Sequence, residues 1–203
     1  RRRVDAGQSI IVVTDTDQDG KADKSHVFVT EKDIRHAPLG IAVFDNRIVL
    51  SATPSIIVYT DMNRNAVFEP EIDKREIFLT GFKNDRHDHT LHAVVGAPSG
   101  QWHFSFGNCG ADIKTKDGRH FISGCYYGFP EGIGKPSSDG HVYVGGVTMR
   151  INPDGTGLEA TGHNMRNPHD MCVTAFGDIL QSDNDDPAHC RSSWVMEYGN
   201  MGY

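Results

Sequence analysis

Residues 10–15 read IIVVTD, and residues 56–61 read IIVYTD. The second copy lies 46 residues after the first, from Ile10 to Ile56. Each is a β-branched run ending on Thr-Asp, the composition of a strand that enters a turn. The residues after each copy repeat as well. A stretch rich in Asp and Asn leads to a second apolar run that closes on Thr, VFVT (27–30) and IFLT (77–80). A third copy reads MRINPDG (149–155), then LEAT (158–161). After each Thr comes a polar link and another short run: GIAV (40–43), LHAVV (91–95) and DMCV (170–173). A further run then closes on Ser: RIVLS (47–51), WHFS (102–105) and ILQS (179–182).

One unit is thus four strands, a to d in chain order. A period near 46 residues with four short strands suits a propeller blade. Helical periodicity is nearly absent, so the expected class is all-β, a β-propeller of four-stranded blades. The expected division is a blade fragment at 1–33, a blade at 34–80, a blade at 81–161 with an insertion at 108–146, and a partial blade at 162–203. The chain then starts in strand c and ends after strand c of a fourth blade, at WVMEY (194–198). That is between three and four blades, an open part of a ring. A β-sandwich with coincidental self-similarity is the competing architecture.

The formal charge of −7 over 203 residues does not suit a nucleic-acid binder. No apolar run approaches the length of a membrane span, so none is expected. RRRVDAGQS (1–9) has no apolar core after its basic start, so it does not read as a signal peptide. The cysteines, Cys109, Cys125, Cys172 and Cys190, form no C-x-x-C pair. Two disulfides between nearest neighbours and four free thiols both remain open. The even count and the calcium-type loops favour an extracytoplasmic setting, such as the periplasm.

Antiparallel strands sort the loops by face: d–a links and b–c loops share one end, and c–d turns lie at the other. Two c–d turns carry cation-type spacing. In TDTDQDGKAD, Asp15, Asp17, Asp19 and Asp23 occupy positions 1, 3, 5 and 9 of a calcium loop, with Gly20 at position 6. In DMNRNAVFE, Asp61, Asn63, Asn65 and Glu69 occupy the same positions. Position 12 holds His26 or Ile72 rather than Glu, and no helices flank either loop, so a sensor EF-hand is not expected.

The opposite face collects imidazoles, a guanidinium and carboxylates. The d–a links carry Arg35 and His36; His87, Asp88 and His89; and Arg166, Asn167, His169 and Asp170. The last b–c loop carries Asp183, Asn184, Asp185 and Asp186. Convergent polar groups in a concavity are what a ligand site needs. A His beside a carboxylate suits a general base, and Arg with Asn suits an anionic or carbonyl ligand. A zinc site from His87, His89 and His92 is awkward, because strand alternation turns His92 away. No G-x-S-x-G and no P-loop is present.

The segment GHNMRNPHDMCVTAFGDILQSDNDD with the terminal WVMEYGNMGY resembles a region of the soluble quinoprotein glucose dehydrogenases and sorbosone dehydrogenase-like proteins. DTDQDGKADKSHVF, HTLH, DGHVYVGG with RINPDGTG, and SDNDDP resemble the membrane-bound dehydrogenase-like proteins of that superfamily still more. The resemblance covers nearly the whole chain. It implies a six-bladed propeller that uses pyrroloquinoline quinone with calcium. By that likeness His89 would be the base that takes the substrate proton. Arg166 and Asn167, with His169 beside them, would contact the quinone. Asp183, Asp185 and Asp186 would supply calcium ligands. The expected function is oxidation of a sugar or alcohol, with electrons passing to an acceptor such as a c-type cytochrome domain. The rival class is a non-catalytic, calcium-stabilised propeller module that binds glycan or protein.

Overall fold

The computed structural model describes residues 7–34, 36, 38–84, 87–184, 186 and 190–203. The chain forms β1 (Gln8–Thr14), β2 (Lys24–Glu31), β3 (Gly40–Phe44), β4 (Arg47–Ala52), β5 (Ser55–Thr60) and β6 (Lys74–Thr80). It continues with β7 (Leu91–Gly96), β8 (Trp102–Phe106), β9 (Ala111–Lys114), β10 (His120–Ser123), β11 (Gly146–Ile151) and β12 (Glu159–Met165). The last strands are β13 (Pro168–Val173), β14 (Ile179–Asp183), β15 (Arg191–Val195) and β16 (Gly199–Asn200). Among the described residues the only helix is one short 3-10 turn at Pro130–Gly132. Among the described residues no helix is long and apolar enough to cross a membrane.

The sheets follow chain order. β1 pairs with β2, and β3 to β6 form a four-stranded meander. β7, β8, β11 and β12 form the next sheet, and β13, β14 and β15 the last. The hairpin β9–β10 stands apart, inside the long connection between β8 and β11. The fold is an all-β propeller, with these sheets as successive blades and blade remnants.

Why the strands read as continuous apolar runs is clear at β5. Side chains alternate along a strand, and both faces of this sheet are covered. Ile56 and Val58 pack into a core shared with Leu91, Phe104 and Met149 of the next blade. Ile57 and Tyr59 pack the other way, onto Phe28 of the preceding blade. Fully burying each such side chain contributes about 1.5–3 kcal/mol before chain entropy is counted. The first strands of adjacent blades crowd together: β7 packs against β3 on one side and β13 on the other. The approach is closest at Gly40, where a Cβ would sit 2.4 Å from the Ala93 Cα. Glycine there lets the two inner strands touch.

Two boundaries stand out against the sequence expectation. β12 runs on to Met165 and β13 starts at Pro168, so the link shrinks to Arg166 and Asn167, with His169 and Asp170 on a strand. β15 stops at Val195 rather than running to Tyr198. Tyr198 takes a left-handed φ of 61°, and the Gly199 N–H closes a turn on the Met196 carbonyl at 2.7 Å. The chain then reverses, and β16 adds in parallel to β12 through Gly162–Gly199 and His163–Asn200. The preceding sheet thereby gains a fifth strand at its outer edge.

No cysteine is paired. Cys109 and Cys125 are buried thiols, and Cys172 and Cys190 are exposed ones. Burial, with Cys125 close by, pushes the Cys109 thiol up to about 12.

Candidate functional site

The link before β7, the start and middle of the long insertion, and the link and loop flanking β13 and β14 meet at one end of the propeller. They enclose an open cavity of about 680 Å³ lined by His87, Asp88, His89, Asn108, Tyr127, Arg166, Asn184, Asp186 and Tyr203. All but the C-terminal Tyr203 come from d–a links and b–c connections. Antiparallel alternation brings those to one end.

His89 is 7 % exposed, and its Nδ1 lies 2.8 Å from Asn108 Oδ1. A carbonyl oxygen only accepts, so Nδ1 carries the proton and Nε2 keeps its lone pair. The Tyr127 hydroxyl donates to the same oxygen. The backbone locks this pairing: Asn108 N–H bonds the Arg166 carbonyl at 2.8 Å, and Cys109 N–H bonds the His89 carbonyl at 3.2 Å. Gly107 is required beside it, because a Cβ there would meet the His89 Cα at 2.8 Å and Asn167 Oδ1 at 2.7 Å. His87 stands edge-on to His89 with centroids 4.5 Å apart, and its Nδ1 accepts the His89 N–H at 3.0 Å. Ligand atoms of His87, Asp88 and His89 lie within 4.8 Å of one another.

Arg166 reaches the cavity from the opposite wall. Its Nε lies 2.9 Å from Asp186 Oδ1, and its Nη1 donates to the Asn184 carbonyl at 3.0 Å. The Tyr203 hydroxyl donates to Asp186 Oδ2 at 3.1 Å. Burial and the Asp186 carboxylate both hold the Tyr203 phenol above its ordinary range.

Of the sequence-derived candidates, the cavity brings together His87, Asp88, His89, Arg166, Asn184 and Asp186. Asn167 and His169 lie elsewhere. Asn167 is 2 % exposed, and its Oδ1 accepts from His92 Nε2 at 2.8 Å. His169 lies on β13 with its ring 4.6 Å from that of His92. Asp183 is turned inward with a fully buried side chain. It accepts from the Asn167 N–H at 2.8 Å and from the Arg166 N–H at 3.3 Å. Arg191 Nη2 pairs with it at 3.1 Å. Asp183 therefore fixes the link that aims Arg166. Asp185 and Arg35 lie outside the described residues. Asn108, Tyr127 and Tyr203 were not singled out from the sequence. The first two sit in an insertion that repeats nowhere in the chain, so the blade pattern gives no register for them.

At the far end lie the two c–d turns. In the first, Asp15 accepts from the Gly20 N–H at 2.8 Å, and the carboxylates of Asp15, Asp17 and Asp19 lie within 4.8 Å of one another. Asp23 faces Thr16 instead, accepting from its N–H at 3.1 Å. In the second, Asp61 accepts from the Ala66 N–H at 2.8 Å, and Glu69 gathers Asn63 and Asn65 at 2.7 Å each. The turns share a backbone signature. Gln18 and Gly20 have φ of 62° and 89°, and Arg64 and Ala66, at the matching positions, have 60° and 61°.

A second cavity, about 470 Å³, lies between the insertion and β12 and is lined by Phe121, Tyr143, His163 and Arg119, among others. It contains none of the candidate site residues.

The fold and the cavity define a class, a partial β-propeller with a polar site at one mouth. The chain belongs to the family described as a domain of unknown function, DUF7133, whose model matches residues 2–199. No curated protein matches the chain. Among solved structures, the chain is similar to the iodide structure of Trichoderma reesei carbohydrate-active enzyme family AA12. That match has a TM-score of 0.61 and 12% identity, over 98% of this chain and 51% of the other. At that identity the likeness bears on the fold alone, and the chain spans about half the length of that structure. A candidate gluconolactonase matches with a TM-score of 0.44 and 14% identity, over 85% of this chain and 52% of the other. A candidate oxidoreductase (glucose dehydrogenase) from Thermus thermophilus matches with a TM-score of 0.38 and 14% identity, over 82% and 64%.

Proposed function

We propose that the cavity is the active site of a quinone-dependent oxidoreductase that oxidises a hydroxyl of a sugar or alcohol. The observation that carries this reading is the His89–Asn108 bond beside an open polar cavity. It fixes one tautomer and leaves His89 Nε2 as the basic atom, the arrangement a general base needs.

The charges of the cavity bear on the cofactor. Arg166 is opposed by Asp186 and Asp88, a net negative balance when the imidazoles are neutral. A quinone with several carboxylates would be repelled by that set alone. A hard divalent cation beside it reverses the balance, and carboxylate oxygens are the donors such a cation takes. The residues present therefore fit calcium and pyrroloquinoline quinone as a pair. Asp88, and Asp186 once released from Arg166, would hold the cation, and the freed guanidinium would face a quinone carboxylate or carbonyl. When bound, the quinone supplies a hydride acceptor and the cation polarises its carbonyl.

The residues of this chain supply the proton chemistry. His89 Nε2 would take the substrate O–H proton, and the hydride released from the carbon bearing that hydroxyl would be the two-electron equivalent that a bound quinone accepts. Asn108 and Tyr127 keep the ring from turning. Asp183 holds the Arg166–Asn167 link, so that the guanidinium is aimed before any ligand arrives.

The test is reconstitution of the full-length protein with pyrroloquinoline quinone and calcium. Dye reduction is then followed across a panel of aldoses and alcohols. Turnover is expected, and His89→Ala should lower it about 100-fold or more. Failure to take up quinone in the presence of calcium would overturn the reading, as would undiminished turnover in His89→Ala. Saccharide binding without turnover would assign the cavity to a non-catalytic propeller module.

A further inference from the structure

We infer that the c–d turn 61–73 is a calcium site that staples its blade to the preceding one. The inference is independent of the oxidoreductase reading, because this turn lies at the opposite end of the blades from the cavity.

The observation that points to a ligand is Asp61. It is 6 % exposed, and its Oδ1 is buried without a hydrogen-bond partner. Its other oxygen, Oδ2, accepts the Ala66 N–H at 2.8 Å, so the carboxylate is aimed into its own turn. A buried carboxylate oxygen with no partner is costly unless a cation or donor meets it. The nearby guanidinium does not fill that role. Arg64 is committed to Asp45, in two bonds of 2.7 and 2.6 Å.

The other side chains of the turn are oxygen carriers at calcium-loop positions. Asn63 Nδ2 and Asn65 Nδ2 both point to Glu69 Oε2 at 2.7 Å. Asn63 Oδ1 and Asn65 Oδ1 already accept backbone N–H groups, of Asn65 at 3.2 Å and of Val67 at 2.8 Å. A carbonyl oxygen has a second lone pair, with which each would meet a cation shared with Glu69 and Asp61. An all-oxygen set with two carboxylates in a flexible turn suits calcium. Magnesium demands stricter octahedral geometry and gives up water reluctantly.

Asp73, which spacing alone did not single out, closes the turn. It is buried and accepts the Met62 N–H at 2.8 Å and the Glu69 N–H at 2.7 Å. Its two oxygens are engaged by the turn's own backbone, so it is a brace rather than a ligand.

The same turn reaches across to the preceding blade. The Ala66 carbonyl accepts from His26 Nε2 at 2.8 Å, and the Phe68 N–H donates to the Phe28 carbonyl at 2.9 Å. The Phe68 ring packs on Phe28 and Tyr59, with centroids 6.2 and 5.3 Å away. A cation that orders residues 61–69 therefore also orders the interblade contacts at Ala66 and Phe68. The first turn, 15–23, has more carboxylates but carries no such buried, unpartnered oxygen.

The test uses the full-length protein without quinone, in an Asp17→Ala background that disables the first turn. Calcium is titrated after chelator treatment. Binding is read by calorimetry, melting by circular dichroism, and the Phe68 amide by hydrogen exchange. Calcium near a hundredfold excess over Kd should raise Tm by roughly 5 °C or more. It should also slow exchange at Phe68, and magnesium should do less. Asp61→Asn keeps an acceptor for Ala66 and removes the buried charge. It should lose one calcium equivalent and the Phe68 protection, yet melt no lower than its parent in chelator. The inference is overturned if Asp61→Asn keeps the full calcium response. It is equally overturned if Asp61→Asn melts lower by the same amount with and without calcium, since the carboxylate would then be a structural acceptor only.

Discussion

Asp183 is the residue at which the sequence reading and the geometry imply different experiments. A calcium ligand should matter only when calcium is present. The geometry makes Asp183 a brace: its fully buried carboxylate accepts two backbone N–H groups and pairs with Arg191. Asp183→Asn keeps the shape, but its amide nitrogen would face either the guanidinium or a backbone N–H. Breaking a buried ion pair by removing one partner costs about 3–5 kcal/mol. A backbone N–H left without an acceptor adds about 1–3 kcal/mol. Because the Arg191 side chain is 29% exposed, the low end of that sum applies, about 4 kcal/mol, and a domain of this size should lose roughly 8–16 °C in Tm. The assay is thermal unfolding of wild type and variant in chelator and in calcium, without quinone. The brace account predicts the same loss in both buffers. A double variant, Asp183→Asn with Arg191→Met, should lose less than the two single losses combined. A loss confined to the calcium buffer would refute the brace and restore Asp183 as a ligand.

Three further outcomes rest on local geometry. His103 is 4 % exposed, with a buried Nδ1 that lacks a hydrogen-bond partner, and burial together with Arg150 pushes its pKa down to about 4. A depressed imidazole leaves the unfolded chain binding more protons between pH 6.5 and 4, so stability should fall by roughly 2–3 kcal/mol across that window and level off below it. His103→Gln should flatten this part of a stability-versus-pH curve measured by urea unfolding. Gly107→Ala should lower the reactivity of the site more than its folding, because the new methyl group meets the His89 backbone; a Tm drop of a few degrees with at least a tenfold loss of turnover is expected. Ala66→Gly should stabilise the second turn by about 1 kcal/mol in chemical denaturation, since Ala66 holds a φ of 61° where its counterpart is Gly20.

Much of the fold was legible because a blade is a local object. Its four strands are consecutive in sequence, and IIVYTD must bury both faces, so the apolar run and its Asp stop mark strand c wherever it recurs. The face rule was legible for the same reason: chain direction alone decides that His89, Arg166 and Asp186 approach one mouth. Orientation within the face was not. Spacing cannot show that Asn167 turns inward to His92 while its neighbour Arg166 turns outward, because Asp183 captures both backbone N–H groups from a different strand. Nor could it find Asn108 and Tyr127, whose contact with His89 is made by an insertion folded back over the link. The end of the last strand was missed at Tyr198, where a left-handed residue reverses a run that still reads as β. The free thiols show the limit of counting, since an even number of cysteines fixes no pairing.

The central claim is that His89 Nε2 removes a proton in a quinone-loaded cavity. Its most direct test is a single-turnover measurement on the full-length protein loaded with pyrroloquinoline quinone and calcium. The quinone absorbance is followed after mixing with a sugar that supports turnover. Wild type and His89→Gln should bind quinone equally, and bleaching should be about 100-fold or more slower in the variant. Equal rates in the two proteins, with equal loading, would contradict the claim.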